Sequence, residues 1–460
     1  MTLRPVVAIA AGALAALAAW PFLQHPGGAT ASLVAPAAVN RDYLHRDLTI
    51  AFEETQVRRN PGDQITRRML ASQYLQRFRE QGDVGDVARA QNMAVQSIRL
   101  QPQGNTAAQM ALASALLGYH DFPAALAHEQ DAIAGEPFND SARAQKASIL
   151  MEIGRYAEAH RVLELRSSQN ENPTWDSVAA RYDEEAGRLA GARALIRRAA
   201  RFADGLPYLS AYDRSWYHMR AGQLAFQAGG MRAADREYRA ALSLFPDNSM
   251  ALMWQARLYR AERHWQQALQ SATRSADIYP LPQALGYKAD AQRALGQPEA
   301  ARSTDALIRA EQRLFNVQGI NDRLLAVYCD QRGVFLDDAL AAARDDYRRR
   351  GDEIYADDTL AWALAALHRW SEARVYSLRA TRLHTQDPTL QFHAGVIAIH
   401  SGHLAEGLAR LHAALRENAQ FDPFDAPVAR KLLAQYASPA KNVKKSEKGC
   451  NPKCDPHRQK

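Results

Sequence analysis

The chain has 460 residues, 47% hydrophobic and 23% charged, which is too long for one ordinary core and too apolar for a disordered polymer. Several domains or one elongated array are the remaining choices. The net charge of +7 is concentrated at the ends: residues 441–460 carry +5 and Arg4 one more, leaving +1 for residues 32–440, so the body lacks the footprint of a nucleic-acid binder.

The first element is an export signal over residues 1–31. MTLR supplies one positive charge, Pro5 to Leu23 is apolar, and no acid precedes Asp42. Ala29-Thr30-Ala31 offers a small-x-small cleavage site before Ser32, while Pro21 keeps an uncleaved inner-membrane anchor as the other reading. No Cys lies near, so lipid modification is not expected. Residues 32–60 read as an extended lead followed by a capping helix.

From there a repeat runs through the chain. Small residues Ala113, Ala147, Ala180, Gly222, Ala256, Ala289, Ala361 and Gly395 each open a similar module. Twelve positions on, Ala125, Ala159, Ala192, Ala234, Ala268, Ala301, Ala373 and Gly407 are small again. Nineteen positions on, Ala132, Ala199, Ala241, Ser275, Ala380 and Ala414 keep the rule, and Arg166 and Ile308 break it. Between the first two sites stands a large apolar residue: Phe122, Tyr156, Leu189, Met231, Trp265, Trp370 or Leu404, with Pro298 the exception. Gly154, Gly187, Gly229, Gly296 and Gly402 fall seven past their anchors, where a left-handed residue ends the first helix of a pair. Small residues let two backbones approach, the large one plugs the gap, and Pro137, Pro246, Pro280, Pro173, Pro388 and Pro423 are expected to end second helices.

Three stretches depart from this rhythm. Anchors are 34, 33, 42, 34 and 33 residues apart from Ala113 to Ala289, and the 42 predicts a longer loop at Phe202–Asp213. Ala90, Ser97 and Pro102 fit an earlier pair with an expanded turn at GDVGDV. A looser pair is expected from Asn321 to Arg350, with Ala326 and Ala339 thirteen apart, after a linker or extended helix end at Glu311–Asp322.

A helix-pair period near 34 with these small, aromatic and Pro positions resembles the tetratricopeptide repeat over roughly residues 60–430. The resemblance implies an all-α, right-handed solenoid whose first helices line a concave groove that takes a peptide or a partner's helix. The organisation expected is a first stack at 61–205, a second at 206–436 and a basic, disordered tail at 437–460. In this pattern the groove-facing positions of the middle modules are Trp216, Met219, Gln223, Phe226, Met250, Met253, Arg257 and Arg260, with Arg293 in the next module. They would receive a protein or peptide carrying apolar side chains and a carboxylate, unless the aromatic and Met residues merely pack between modules.

Chemistry is scarce. The chain has no phosphate loop, HExxH or Gly-x-Ser-x-Gly elbow, so no enzyme and no cofactor are expected. Cys450, Cys454 and His457 read as a small disulfide loop or an unstructured end, with a three-ligand metal site as the alternative. Cys329 reads as a buried apolar residue, and His384, His393, His400, His403 and His412 as surface or satisfied-core histidines. The reading is an exported interaction scaffold in the bacterial periplasm or on the outer face of the inner membrane. The alternative is a metal-handling accessory protein that uses the Cys/His tail and docks through its repeats.

Overall fold

The computed structural model describes residues 41–167, 171–317 and 335–437, and all regular structure among them is helical. The expected signal, Cys329, the first part of the looser pair and the Cys450/Cys454/His457 tail lie outside these residues. In chain order the helices are α1 (Arg41–Arg59), α2 (Gln64–Gln81), α3 (Val84–Leu100), α4 (Thr106–Gly118), α5 (Phe122–Gly135), α6 (Asp140–Glu152), α7 (Tyr156–Leu163), α8 (Pro173–Glu185), α9 (Leu189–Asp204) and α10 (Ala211–Gln227). There follow α11 (Met231–Leu244), α12 (Ser249–Ala261), α13 (Trp265–Ile278), α14 (Pro282–Ala294), α15 (Pro298–Val317), α16 (Leu336–Arg350), α17 (Ile354–Ala366), α18 (Trp370–Ala380), α19 (Pro388–His400), α20 (Leu404–Glu417) and α21 (Asp425–Ala437).

The pairs form for the reasons their spacing suggests. Ala125, Ala159, Ala192, Ala234, Ala268, Ala301 and Ala373 are buried at the contact between first and second helices, as are the anchoring alanines. Gly222 lies so close under the Tyr238 ring that a Cβ there would stand 2.5 Å from it. First helices begin at side-chain caps such as Asn139, Asn172, Ser210, Asn248 and Asp387, which accept backbone N–H groups that have no helical partner.

All eight modules turn through a left-handed residue, including three without glycine. His120, Arg263 and His368 hold φ of 57°, 60° and 58° where Gly154, Gly187, Gly229, Gly296 and Gly402 stand in the others. Each of the three accepts a strain of roughly 1–2 kcal/mol that glycine avoids.

Several expectations need correction. Pro173 and Pro388 open first helices, because Pro fits the first turn, where its missing N–H is not needed. The turn at GDVGDV is tight: Gly82 caps α2 at φ 76°, Asp83 caps α3, and the remaining residues belong to α3. Most of the insertion near 202 lengthens helices, α9 to 16 residues and α10 to 17, and only 205–210 stays irregular. Ala180, Ala192, Ala199, Ala221 and Leu224 form one buried cluster across that loop. The plug position fades toward the end of the array: Phe122 and Leu189 are buried, but Leu404 is 40% exposed.

One feature goes beyond the helix-pair rule. From His45 onward the chain forms one unit, and it folds back on itself. The Tyr156 hydroxyl accepts from the Ile354 backbone N–H at 3.2 Å, 198 residues away, six modules along the chain when the looser pair expected at Asn321–Arg350 is counted. Ile354 and Leu390 belong to the same buried cluster as Ala113, Ala147 and Ala159. At this seam the turns of one stretch meet the module entrances of a later one: Gly154 faces the Asp352 backbone, Gly187 the His384 carbonyl, and Gly229 the Glu417 carbonyl.

Candidate interaction surface

Charged groups line the seam. Glu152 accepts from Arg181 at 2.6 Å and also from Arg350, whose guanidinium lies 4.8 Å over the Phe122 ring. Arg181 donates at 2.6 Å to Glu185 as well, yet burial still pushes the Glu185 carboxyl up to about 7. Beside them, burial and the neighbouring Arg350 push His120 down to about 4, so the imidazole is neutral at pH 7.

The positions expected to face a groove divide into three groups. Met219 and Met253 are buried and Trp216 and Met250 half-buried, in clusters joined through Trp254, so these four pack between modules. Gln223, half-buried, accepts from Arg220. The second group converges on the seam. Phe226 is buried beneath the Arg257 guanidinium at 5.0 Å, and Arg257 also covers Trp254 and donates to the Thr389 hydroxyl at 3.4 Å. Arg260 is buried between Asp290 at 2.8 Å and Asp422 at 2.6 Å, with Tyr287 and Phe424 against its planar face. Arg293 lies at the edge of this set, 43% exposed, paired with Asp305 and 3.7 Å from the Asp290 carboxylate that Arg260 also binds.

Phe226, Arg257 and Arg260 are thus brought together as the spacing suggests, but the chain's own residues 387–425 lie on them. Asp387, Thr389, Asp422 and Phe424 were not singled out in the sequence. One signal was available: the terminal Pro423 comes later than the Pro of other modules and sits inside FDPFD, whose two acids and two aromatics resemble a ligand for the arginines opposite.

The histidines are accounted for locally. His393 is buried, stacks on Trp362 at 4.0 Å, and bonds Asp358 through Nδ1 at 2.9 Å. Burial would lower its affinity for a proton, but Asp358, helped by the Asp425 and Asp387 carboxylates, outweighs burial and the pKa is raised. His400 stacks on Trp370 at 4.2 Å, His403 precedes α20, His412 is exposed, and the His384 carbonyl meets Gly187. Among the described residues no three metal-ligating side chains converge, and no helix is long and apolar enough to cross a membrane.

Helix pairs of 33–34 residues, left-handed turns and buried small residues at the pair contact define a tetratricopeptide-like α-solenoid. No family model and no curated protein matches the chain. Among solved structures, the crystal structure of yeast Tom70 overlaps it with a TM-score of 0.32 at 10% identity, covering 82% of this chain and 97% of that one. The crystal structure of the APC/C hetero-tetramer Cut9-Hcn1 has a TM-score of 0.32 at 12% identity, covering 86% and 94%. Overlaps this loose leave the fold to be read from the helices themselves.

Proposed function

We propose that this chain is a non-enzymatic protein-interaction scaffold of the cell envelope, exported by its N-terminal segment, that recognises a partner protein or peptide. The observation that carries the reading is the set Phe226, Arg257 and Arg260, an aromatic and two guanidinium groups in a row that already hold carboxylate and aromatic side chains from within the chain. The half-exposed Arg293 guanidinium, which shares Asp290 with Arg260, extends that chemistry toward solvent.

The test is capture of envelope proteins by the full chain and by an Arg257→Glu, Arg293→Glu variant, with helical content and melting temperature followed in both. The variant is expected to fold and to lose the captured species. Undiminished capture by a folded variant would move the site away from these arginines. N-terminal sequencing of the mature protein checks export, with Ser32 expected as the first residue.

A further inference from the structure

The segment Asn418 to Asp425 crosses two successive module turns. The Asn418 amide donates to the Phe226 carbonyl at 2.7 Å, and Arg263, in its left-handed conformation, donates to the Pro423 carbonyl at 3.3 Å. Between these two bonds Phe421 is buried against Phe392 and Leu411, and Asp422 joins the Arg260 guanidinium. The other oxygen of Asp422 accepts the backbone N–H groups of Phe424 at 2.8 Å and Asp425 at 3.1 Å, which shapes the Asp-Pro-Phe turn. A segment of few residues therefore makes a carboxylate, an aromatic and two backbone contacts with the surface formed by Phe226 to Arg263.

The fit is incomplete. Phe424 remains 52% exposed although its ring lies 5.0 Å from the Arg260 guanidinium carbon. A cleft of about 100 Å³ stays open between Arg263, Gln420, Pro423, Pro427 and Arg430. The segment leads into α21, the last described helix, in which only Ala426 and Ala429 are buried. Phe421 anchors the segment in the cluster of Phe392 and Leu411 and would have to leave it on full release, whereas the turn from Asp422 to Asp425 adds little apolar burial of its own and Arg260 would keep Asp290 as a partner.

We propose that the Phe226–Arg263 surface is a docking site for an acidic, aromatic Asp-Pro-Phe turn, held in cis by Asn418–Asp425, and that a partner protein presenting the same chemistry displaces this segment. The proposal rests on the scaffold reading and gives it a mode of recognition: a carboxylate on Arg260, an aromatic ring on its planar face, and a backbone carbonyl on Arg263. The cis segment lowers the apparent affinity for any competitor by the fraction of time the site is closed.

The probe is a labelled synthetic peptide of residues 416–427, measured by fluorescence anisotropy against the full chain and a full-length Asp422→Ala, Phe424→Ala variant. The variant is expected to bind at least about tenfold more tightly than the parent, because its own segment competes less. A peptide with Asn at positions 422 and 425 is expected not to bind. A folded variant that ignores the peptide, or takes the Asn peptide equally well, would overturn the proposal. Should the variant not fold, hydrogen exchange of the parent chain decides: excess peptide should speed exchange across 418–437 and leave α4 to α9 unchanged, and no change would overturn it. A concentration-dependent dimer of the parent in sedimentation, with the segment exchanged between copies, would also overturn it in favour of a second copy as occupant. Envelope capture is a separate readout, so the scaffold reading can survive failure of this one.

Discussion

Gly187 and Gly296 occupy the same place in their modules with nearly the same backbone, φ 72° and 75°. They differ in what lies beyond the turn. A Cβ on Gly296 would meet nothing within 4 Å, whereas one on Gly187 would collide with the His384 carbonyl. Gly296 serves one helix pair. Gly187 also serves the seam, where six modules of chain separate two touching backbones, so one sequence signal stands for two physical demands.

Substitution separates those demands. Gly187→Ala is expected to cost about 3 kcal/mol, the left-handed strain plus a backbone collision that no rotamer relieves, while Gly296→Ala should cost only about 1 kcal/mol. Urea denaturation of both full-length variants checks this, and equal costs would break the comparison.

Within a single pair, Ala268→Leu tests packing away from the seam. Ala268 is fully buried between α12 and α13, so the added bulk should cost on the order of 1–3 kcal/mol. A melting temperature matching the parent would mean the two helices are not in the contact described.

pH sharpens the contrast between buried acids on and off the seam. Glu129, in α5, is buried with neither oxygen bonded, and burial raises its pKa from 4.5 to about 8. The folded protein holds this proton more tightly than the unfolded chain does. The resulting contribution to stability is fully present below pH 4.5 and is lost as pH rises through about 8. Glu129→Gln should therefore flatten the fall in stability across that window, by roughly 1–3 kcal/mol at its upper end. An unchanged pH profile would show that Glu129 does not hold the proton. At the seam, Asp425 is raised to about 7 by burial and by Asp422, so the same direction is expected there over the window from 3.8 to 7.

The smallest effect expected is a gain. His368→Gly removes left-handed strain at a turn, offset by the greater flexibility of glycine in the unfolded chain, and should stabilise by roughly 0.5–1 kcal/mol. A loss in thermal unfolding would mean that the contact of His368 with the Trp370 ring outweighs the strain.

What the sequence disclosed follows from how far apart the touching residues lie. Ala256 and Ala268 are buried twelve residues apart within one helix pair, so their burial repeats at a fixed spacing and can be read from the sequence. The contact of Tyr156 with Ile354 recurs at no local period, and Gly154 looks like any other turn glycine until Asp352 is placed beside it. Phe226, Arg257 and Arg260 were legible as a set because first-helix faces follow the 3.6-residue period. Their occupant was not, since Asp422 and Phe424 belong to a connection outside that period. The left-handed His120, Arg263 and His368 were hidden for a chemical reason: glycine marks such a turn, and these three residues tolerate it without marking it.

Because the seam couples modules six apart, this array is not a one-dimensional stack in which each unit answers only to two neighbours. An open solenoid can gain or lose a repeat in its middle and keep every remaining interface. Here the duplication or deletion of one helix pair between Tyr156 and Ile354 would shift the whole row of cross-contacts by a module, setting glycine turns against side chains and arginines against empty backbone. The geometry therefore sets the number of repeats between the two edges, and a gain or loss of a repeat is expected to be tolerated only outside that interval.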